Sequence, residues 1–273
     1  MILHFDDLGV AGPEDRTAWA ARDSGLLVSA SVIVPGPKFQ DVAGYARAHP
    51  DFDLGVHLAL TSEWPGYRWG PIAPRESVPT LLAPDSLLRR AWEDSTQIRW
   101  QDVERELRAQ IDAARAAGIR PTHLDVHEYV LFSRGPILFE ILRRVAQSES
   151  LPFLSAEQWV AGRGPMRQFP HGPLVLSRVV AIAPDVPPAD WAGYYTEQIR
   201  ALPPGVSELI LHPAADSTAM KALTKDRVPW GAAWRARDWA FVASPKFRQL
   251  LRAQQIHLVT WRQIDSALAM PAK

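Results

Sequence analysis

The sequence predicts an α/β fold in which helices flank parallel strands, arranged as either a barrel or an open sheet. Apolar, strand-like segments alternate with helical patterns along most of the 273 residues, and this alternation is typical of parallel sheets. The length agrees with the roughly 250 residues that a (β/α) barrel occupies as one domain. There is no low-complexity tract or clear linker, so we expect one domain over residues 1–273.

The first half of the chain carries the clearest signals. A helix is expected over 102–117, because Val103, Leu107, Ile111 and Ala114 recur every three or four residues and Gly118 follows them. The other helices are predicted between Pro13 and Gly25 and over 39–49, and the strands over 2–5, 27–34, 54–60 and 123–126.

The second half is harder to assign. Pro136 stands at the start of a helical pattern, since apolar residues recur at helical spacing up to Val145. Strands are predicted over 208–211 and 256–261, a helix over 247–253, and a short helix at the end of the chain. The proline-rich region 152–204 permits no assignment.

Composition narrows the function. Thirty basic residues balance thirty acidic ones, so no net field attracts nucleic acid, and we expect no nucleic-acid partner. Cysteine is absent, so any metal must be held by His, Asp or Glu. Such ligands suit zinc, manganese or magnesium, and additional imidazoles favour zinc.

The chain also lacks the features of a membrane or secreted protein. No apolar run approaches the ~18 residues of a membrane span, and the N-terminus has no basic region of a signal peptide. We therefore expect a cytoplasmic protein without a membrane partner. No heptad or evident interface patch marks the sequence, so the oligomeric state stays open, with a homodimer as one option.

Four stretches place a polar side chain where an apolar strand should end. Asp6 and Asp7 end the first strand, His57 falls in the third, His127 follows the fourth and His212 follows a late strand. The carboxyl ends of barrel strands meet at one rim, where catalytic groups lie. If the strands share that rim, these side chains can hold one divalent cation with a proton-transfer pair beside it.

Each stretch also has a plainer interpretation. A single His between apolar neighbours, such as His57, is more often a satisfied interior histidine, and Asp-Asp before Gly9 is usually turn chemistry. Taken together the four favour a shared ligand, because burying several unpaired polar groups is costly. Four other histidines are interpreted as structural: His4, His49, His171 and His257.

Local geometry supports the same site. Asp125 and His127 are two residues apart, so in an extended strand they face the same side. One could bind a metal while the other orients a neighbouring ligand. Asp6 and Asp7 would face opposite sides of a regular strand, but a backbone turn into Gly9 would let both carboxylates reach one site.

Aromatic residues suggest a sugar-binding surface. Trp64, Tyr67 and Trp69 lie in a loop rich in Pro and Gly after the strand that carries His57, and Trp230 and Arg235 lie beyond His212. Aromatic faces over a rim pocket suit stacking on the apolar face of a sugar ring. Packing within the loops explains the same residues equally well.

The ordered motifs resemble the YdjC-like family of carbohydrate deacetylases, which are relatives of the barrel-type polysaccharide deacetylases. The resemblance covers most of the chain and is weak between about 150 and 205. Its main motifs are Asp6-Asp7-Leu8-Gly9, Gly55-Val56-His57-Leu58, Pro121-Thr122-His123-Leu124-Asp125-Val126-His127 and His212-Pro213.

This resemblance implies a deformed (β/α) TIM-like barrel and a divalent metal ion, Mg or Zn, on Asp7, His57 and His127. It implies Asp6 as general base and His212 as a candidate general acid, with an acetylated amino sugar or oligosaccharide as substrate and acetate as product.

Two other functions stay open: a metal-dependent hydrolase of a non-sugar amide or ester, and a sugar-binding protein without turnover. The retained Asp6 argues against the second. Three departures from the family, Phe5, Asp15 and Glu128, are expected near the pocket and leave the substrate undefined.

Overall fold

The computed structural model of the protein describes residues 1–64, 67–156, 173–225, 227 and 229–268. Pro65 and Gly66 of the aromatic loop and His171 lie outside this part of the chain. Within it, no helix is both long enough and apolar enough to cross a membrane.

Eight strands of the described chain form one sheet in which every pairing is parallel. They are β1 (Ile2–Leu8), β2 (Ser29–Val32), β3 (Asp53–Leu58), β4 (Leu124–Val126), β5 (Phe153–Ala156), β6 (Pro173–Leu176), β7 (Arg178–Val180) and β8 (Ser207–Leu211). Their order in the sheet is β6-β5-β4-β3-β2-β1-β8-β7.

The two strands at the edges of this order, β6 and β7, follow one another directly in the sequence. Ser177 alone separates β6, which pairs with β5, from β7, which pairs with β8. A single segment therefore joins the two ends of the sheet and curls it into a ring. The predicted deformed (β/α) barrel is confirmed.

The helices are α1 (Gly12–Asp23), α2 (Phe39–Ala48), α3 (Trp100–Ala116), α4 (Val130–Ser133), α5 (Pro136–Glu149), α6 (Trp191–Arg200), α7 (Thr218–Leu223), α8 (Ala232–Val242), α9 (Pro245–Ala253) and α10 (Trp261–Leu268). Pro13 lies in the first turn of α1 and Pro136 begins α5, as the sequence pattern indicates. Gly25, beyond α1, has a φ of +75°.

The strand predicted over 256–261 is wrong. Residues 256–260 are irregular, and α10 begins at Trp261. The buried carboxylate of Asp53 accepts hydrogen bonds from the backbone N–H groups of Trp261 and Arg262, at 3.0 Å each. This carboxylate caps the helix N-terminus and fixes its start.

Two hydrophobic cores follow from the alternation of side chains along the strands. The larger core lies between the sheet and the helices and includes Leu3 and Phe5 of β1. The smaller core includes Ile2, Leu154, Leu176, Val179, Ile210 and Trp261. This smaller core draws on five of the eight strands, β1 and β5 to β8. It fills the barrel interior, towards which Ile2, His4 and Asp6 point because alternate residues of β1 share a face.

Candidate active site

All five residues predicted from the strand ends line one cavity of about 260 Å³, namely Asp6, Asp7, His57, His127 and His212. They come from β1, β3 and the residues that directly follow β4 and β8. The carboxyl ends of these strands meet at one rim of the ring, so residues far apart in sequence become neighbours.

An irregular end of β1 brings both adjacent carboxylates into this cavity. Asp7 has a φ of +67°, which non-glycine residues rarely adopt, and the register between β1 and β2 shifts between Phe5 and Leu8. Backbone of this kind costs of order 1–3 kcal/mol and persists where the surroundings impose it. The predicted turn before Gly9 is confirmed.

Three potential ligand atoms converge within this cavity. Asp7 Oδ1 lies 3.5 Å from His57 Nε2 and 3.2 Å from His127 Nδ1, and the two ring nitrogens are 3.3 Å apart. Two atoms that bind zinc tetrahedrally at about 2.0–2.1 Å lie about 3.3 Å from one another. The spacing of the three atoms therefore fits a common cation.

The other nitrogen of each ring faces a carboxylate. His57 Nδ1 lies 3.0 Å from Asp125 Oδ2, and His127 Nε2 lies 3.0 Å from Glu63 Oε2. We assign a proton to each of these two nitrogens. The nitrogens that face Asp7 Oδ1, Nε2 of His57 and Nδ1 of His127, then carry lone pairs. That buried oxygen has no hydrogen-bond partner among the described residues. With both rings neutral in this way, three acceptors converge with no donor between them, which is the arrangement that a cation requires.

Electrostatics agree with this interpretation. Burial raises the pKa of Asp7, but His127, His57 and Arg235 outweigh it and hold the pKa well below its usual range. Burial lowers the pKa of His57, but Asp125 and Asp6 raise it to about 10. The pKa of His127 is likewise raised, chiefly by Glu63. Without a cation the rings take up protons, and a cation must displace them.

Glu63 is the residue of this site that the sequence reasoning missed. Its Oε1 accepts a hydrogen bond from Arg227 Nη1 at 2.8 Å while its Oε2 faces His127. The charge of His127, its hydrogen bond and Arg227 lower the pKa of Glu63 to about 2 against the effect of burial. Glu63 is the only acidic residue between Asp53 and Glu76. A single carboxylate in the loop after the strand that carries His57 was the sequence feature that could have indicated its role.

Asp6 and His212 lie beside the three ligand atoms. Asp6 Oδ2 is 3.7 Å from His212 Nε2, and His212 is 20% exposed. The backbone N–H of His212 donates to Asp238 Oδ2 at 3.0 Å, and Trp191 and Tyr195 donate to the other oxygen of Asp238. The residue after β8 is therefore anchored to α8 while its ring points into the cavity.

Three of the predicted substrate contacts are almost completely buried. Trp64 is 1% exposed, Trp69 3% and Arg235 1%, so none of them presents an open surface. The ring of Trp64 contacts two guanidinium groups, whose carbon atoms lie 5.3 Å (Arg227) and 5.4 Å (Arg235) from its centroid. Packing, the alternative that the sequence left open, accounts for both tryptophans.

Arg235 instead binds two buried carboxylates. Its Nη2 donates to Asp7 Oδ2 at 2.8 Å, its Nη1 lies 2.6 Å from Glu14 Oε1, and its Nε donates to the carbonyl of Trp230 at 2.7 Å. Arg235 therefore holds the oxygen of Asp7 that faces away from the ligand cluster.

Replacing Arg235 by Leu is expected to destabilise the metal-free protein by about 3–5 kcal/mol, because it leaves the buried carboxylates of Asp7 and Glu14 without their cation. Urea unfolding monitored by circular dichroism measures this loss. Replacing the exposed Arg252 of α9 by Leu is the control and should change stability by less than about 0.5 kcal/mol. A loss below 1 kcal/mol for Arg235→Leu would contradict the assigned role.

The two remaining predicted substrate contacts, Trp230 and Tyr67, differ in position, because Tyr67 lines neither this cavity nor the larger one beside it. Trp230 is half-buried and lines the cavity. Tyr67 is half-buried, and its hydroxyl donates to the carbonyl of Val10 at 3.0 Å. The prediction that these two rings contact substrate is left untested by the structure.

A second cavity of about 970 Å³ adjoins the first and shares Glu63, Glu128, Arg227 and Trp230 with it. Of the three departures from the family pattern, Glu128 lines both cavities, whereas Phe5 and Asp15 are completely buried and line neither. Of the three residues expected near the pocket, only Glu128 therefore has a side chain in its wall.

Comparisons with known proteins agree with the geometry. The model of a family described as YdjC-like protein matches residues 1–253. A carbohydrate deacetylase of Thermus thermophilus is 33% identical over 98% of this chain and 94% of its own, and one of Brevibacillus brevis is 26% identical over 97% and 99%.

A solved structure from Enterococcus faecalis V583 shares the fold. That protein is provisionally described as a cellobiose-phosphate cleavage protein, and it is 21% identical to this chain. It superposes with a TM-score of 0.78 over 98% of each chain.

Proposed function

The chain belongs to the YdjC-like family, and on that premise we propose that it is a metal-dependent hydrolase that removes the N-acetyl group from an acetylated amino sugar or oligosaccharide. The observation that carries this proposal is the convergence of Asp7, His57 and His127 in one cavity with Asp6 and His212 beside them. Relatives described as carbohydrate deacetylases support the choice of bond.

Asp7, His57 and His127 would hold the divalent ion, zinc or magnesium, which when bound polarises the acetyl carbonyl and acidifies a water molecule. Asp6 accepts a proton from the water as its oxygen attacks the carbonyl carbon. His212 in its protonated form donates to the sugar nitrogen as the C–N bond breaks, so that the amine leaves without negative charge. Acetate and the amino sugar are the products.

The cavities suggest how the substrate is held. The smaller one, about 260 Å³ in volume, suits the acetamido group and part of one sugar ring, and Trp230 in the shared wall offers its face to that ring. The larger one, about 970 Å³, has room for a further sugar or another substituent. Arg227 and Glu128 in that wall supply polar groups for hydroxyls.

The direct test is acetate release by protein loaded with zinc or magnesium, from a panel of acetylated amino sugars, their oligomers, simple amides and simple esters. The proposal expects turnover of the amino sugars at a kcat/KM at least 10-fold above that of the other compounds. Preference for simple amides or esters would favour the second hydrolase function. Sugar binding without acetate release would favour the non-catalytic one.

Replacing Glu63 by Gln is expected to weaken metal affinity by about 10- to 100-fold, as loss of a carboxylate behind a ligating histidine does. The amide keeps the size of the side chain and can still accept a hydrogen bond from His127 Nε2, but it lacks the negative charge that holds the proton there. Zinc titration in the presence of a competing chelator measures the affinity. Glu76→Gln, at an exposed position of the same loop region, is the matched control; equal affinities for the two variants would remove Glu63 from the site.

A further inference from the structure

A buried pair of imidazoles lies directly behind Asp6. His4 Nδ1 is 2.7 Å from Asp6 Oδ1, and His4 Nε2 is 3.0 Å from His123 Nε2. His4 is 1% exposed and His123 has no exposed surface. The sequence alone marks His4 as a structural histidine, and the proposed mechanism uses neither histidine of the pair.

The barrel is built to hold this pair. His123 packs against the bare backbone of Gly55 in β3, where a Cβ atom would come within 2.5 Å of its Nε2. The ring stacks on Trp261 with centroids 5.1 Å apart, and its Nδ1 lies 2.9 Å from Thr122 Oγ1. Both nitrogens of His123 are therefore engaged, and its ring cannot rotate away from His4.

Charge is distributed unequally within the pair. Burial lowers the pKa of His4, but the neighbouring carboxyl groups of Glu208, Asp6 and Asp125 raise it to about 9. Burial and the adjacent His4 lower the pKa of His123 well below its usual value. In the hydrogen bond between the two rings, His4 Nε2 therefore donates the proton, and Nε2 of the neutral His123 accepts it.

This arrangement gives the two carboxylate oxygens of Asp6 different surroundings. Oδ1 faces His4, while Oδ2 faces the cavity and His212 at 3.7 Å. We propose that His4, held by His123, is a positioning residue that fixes Oδ1 of Asp6 and leaves Oδ2 as the atom that takes the proton from water. The proposal rests on the proposed function, because it assigns a role through the general base of that reaction.

Two replacements of His4 separate positioning from packing. Leu fills a similar volume without a donor, whereas Asn keeps an N–H close to the place of Nδ1. We expect His4→Leu to lower kcat by about 10- to 100-fold with KM and bound zinc unchanged, and His4→Asn to stay within about 5-fold of the wild type. His49→Leu, at a half-buried histidine of the opposite region of the fold, is the control and should keep full kcat.

A double-mutant cycle with Asp6→Asn gives the decisive result. If His4 acts through Asp6, His4→Leu costs less than about 2-fold in the Asp6→Asn background, since residues that act as a unit are not additive. Equal losses in both backgrounds, or full kcat in His4→Leu, would overturn the inference. If His4→Leu does not fold, His123→Leu replaces it in the cycle, with an expected loss of about 3- to 10-fold.

The two proposals fail differently in this experiment. A wild-type protein that releases no acetate overturns the proposed function and this inference with it. An active wild type whose His4→Leu variant is equally active overturns the inference alone.

Discussion

Replacing Asp6 by Asn is expected to lower kcat for acetate release by about 10²- to 10⁴-fold, the range that a general base contributes. Asp6 Oδ2 faces the cavity beside His212 Nε2, and an amide at this position cannot accept the proton of the attacking water. Asp6 is not part of the Asp7–His57–His127 group that would hold the cation, although it groups with His4 and Asp125 beside it, so zinc bound to that first group should be unchanged. Steady-state kinetics on zinc-loaded protein measures the loss.

The matched control is Asp216→Asn. Asp216 lies four residues after His212 in the same loop, but its exposed carboxylate pairs with Lys221 at 2.7 Å. We expect the control to keep wild-type kcat. If Asp6→Asn retained more than about a tenth of the wild-type kcat while binding zinc normally, the base would have to be another group.

The placement of the site was predictable because it follows from one geometric rule. In a ring of parallel strands all carboxyl ends lie at the same rim, so polar residues at strand ends must meet there. His57, His127 and His212 obey this rule, and each lies within two residues of the end of its strand. Asp6 and Asp7 were predictable only with the added assumption of a backbone turn, which the positive φ of Asp7 provides.

Side chains delivered by loops and outer helices were not predictable in the same way. Glu63 reaches His127, and Arg235 reaches Asp7, across 64 and 228 residues of sequence. Neither pairing leaves a periodic signal in the sequence. The first depends on how the loop after β3 folds back, and the second depends on how α8 packs against the sheet. The same reason explains why Trp64 and Trp69 looked like surface aromatics and are buried.

The short strands in the second half of the chain were not predicted for another reason. β5 and β7 have four and three residues, which is too short for a period of two to stand out from its surroundings. The run over 256–261 has a strand-like composition, but Trp261 is placed by the cap from Asp53 rather than by a neighbouring strand. Tertiary contacts decide such segments.

Removal of the metal is expected to abolish acetate release, by at least about 10²-fold, and to lower thermal stability. The cation would neutralise three converging acceptors of the buried cluster, Asp7, His57 and His127. Zinc at 100 times its Kd stabilises the fold by about 2.7 kcal/mol, which corresponds to roughly 5–10 °C in Tm for a chain of this size. Dialysis against a chelator, followed by zinc or magnesium restoration, measures both effects. His127→Ala should show neither activity nor a zinc-dependent Tm.

The stabilisation by zinc should also grow as the pH rises. In the metal-free protein the pKa of His57 is raised from 6.5 to about 10. A raised pKa contributes stability that is complete below the unfolded value and is lost as the pH rises towards the folded one. Metal binding displaces that proton, so the bound form does not lose this contribution. The difference in Tm with and without zinc should therefore be larger at pH 8.5 than at pH 6.5. A difference that shrinks over this interval would show that the imidazoles of the cluster do not bind the ion.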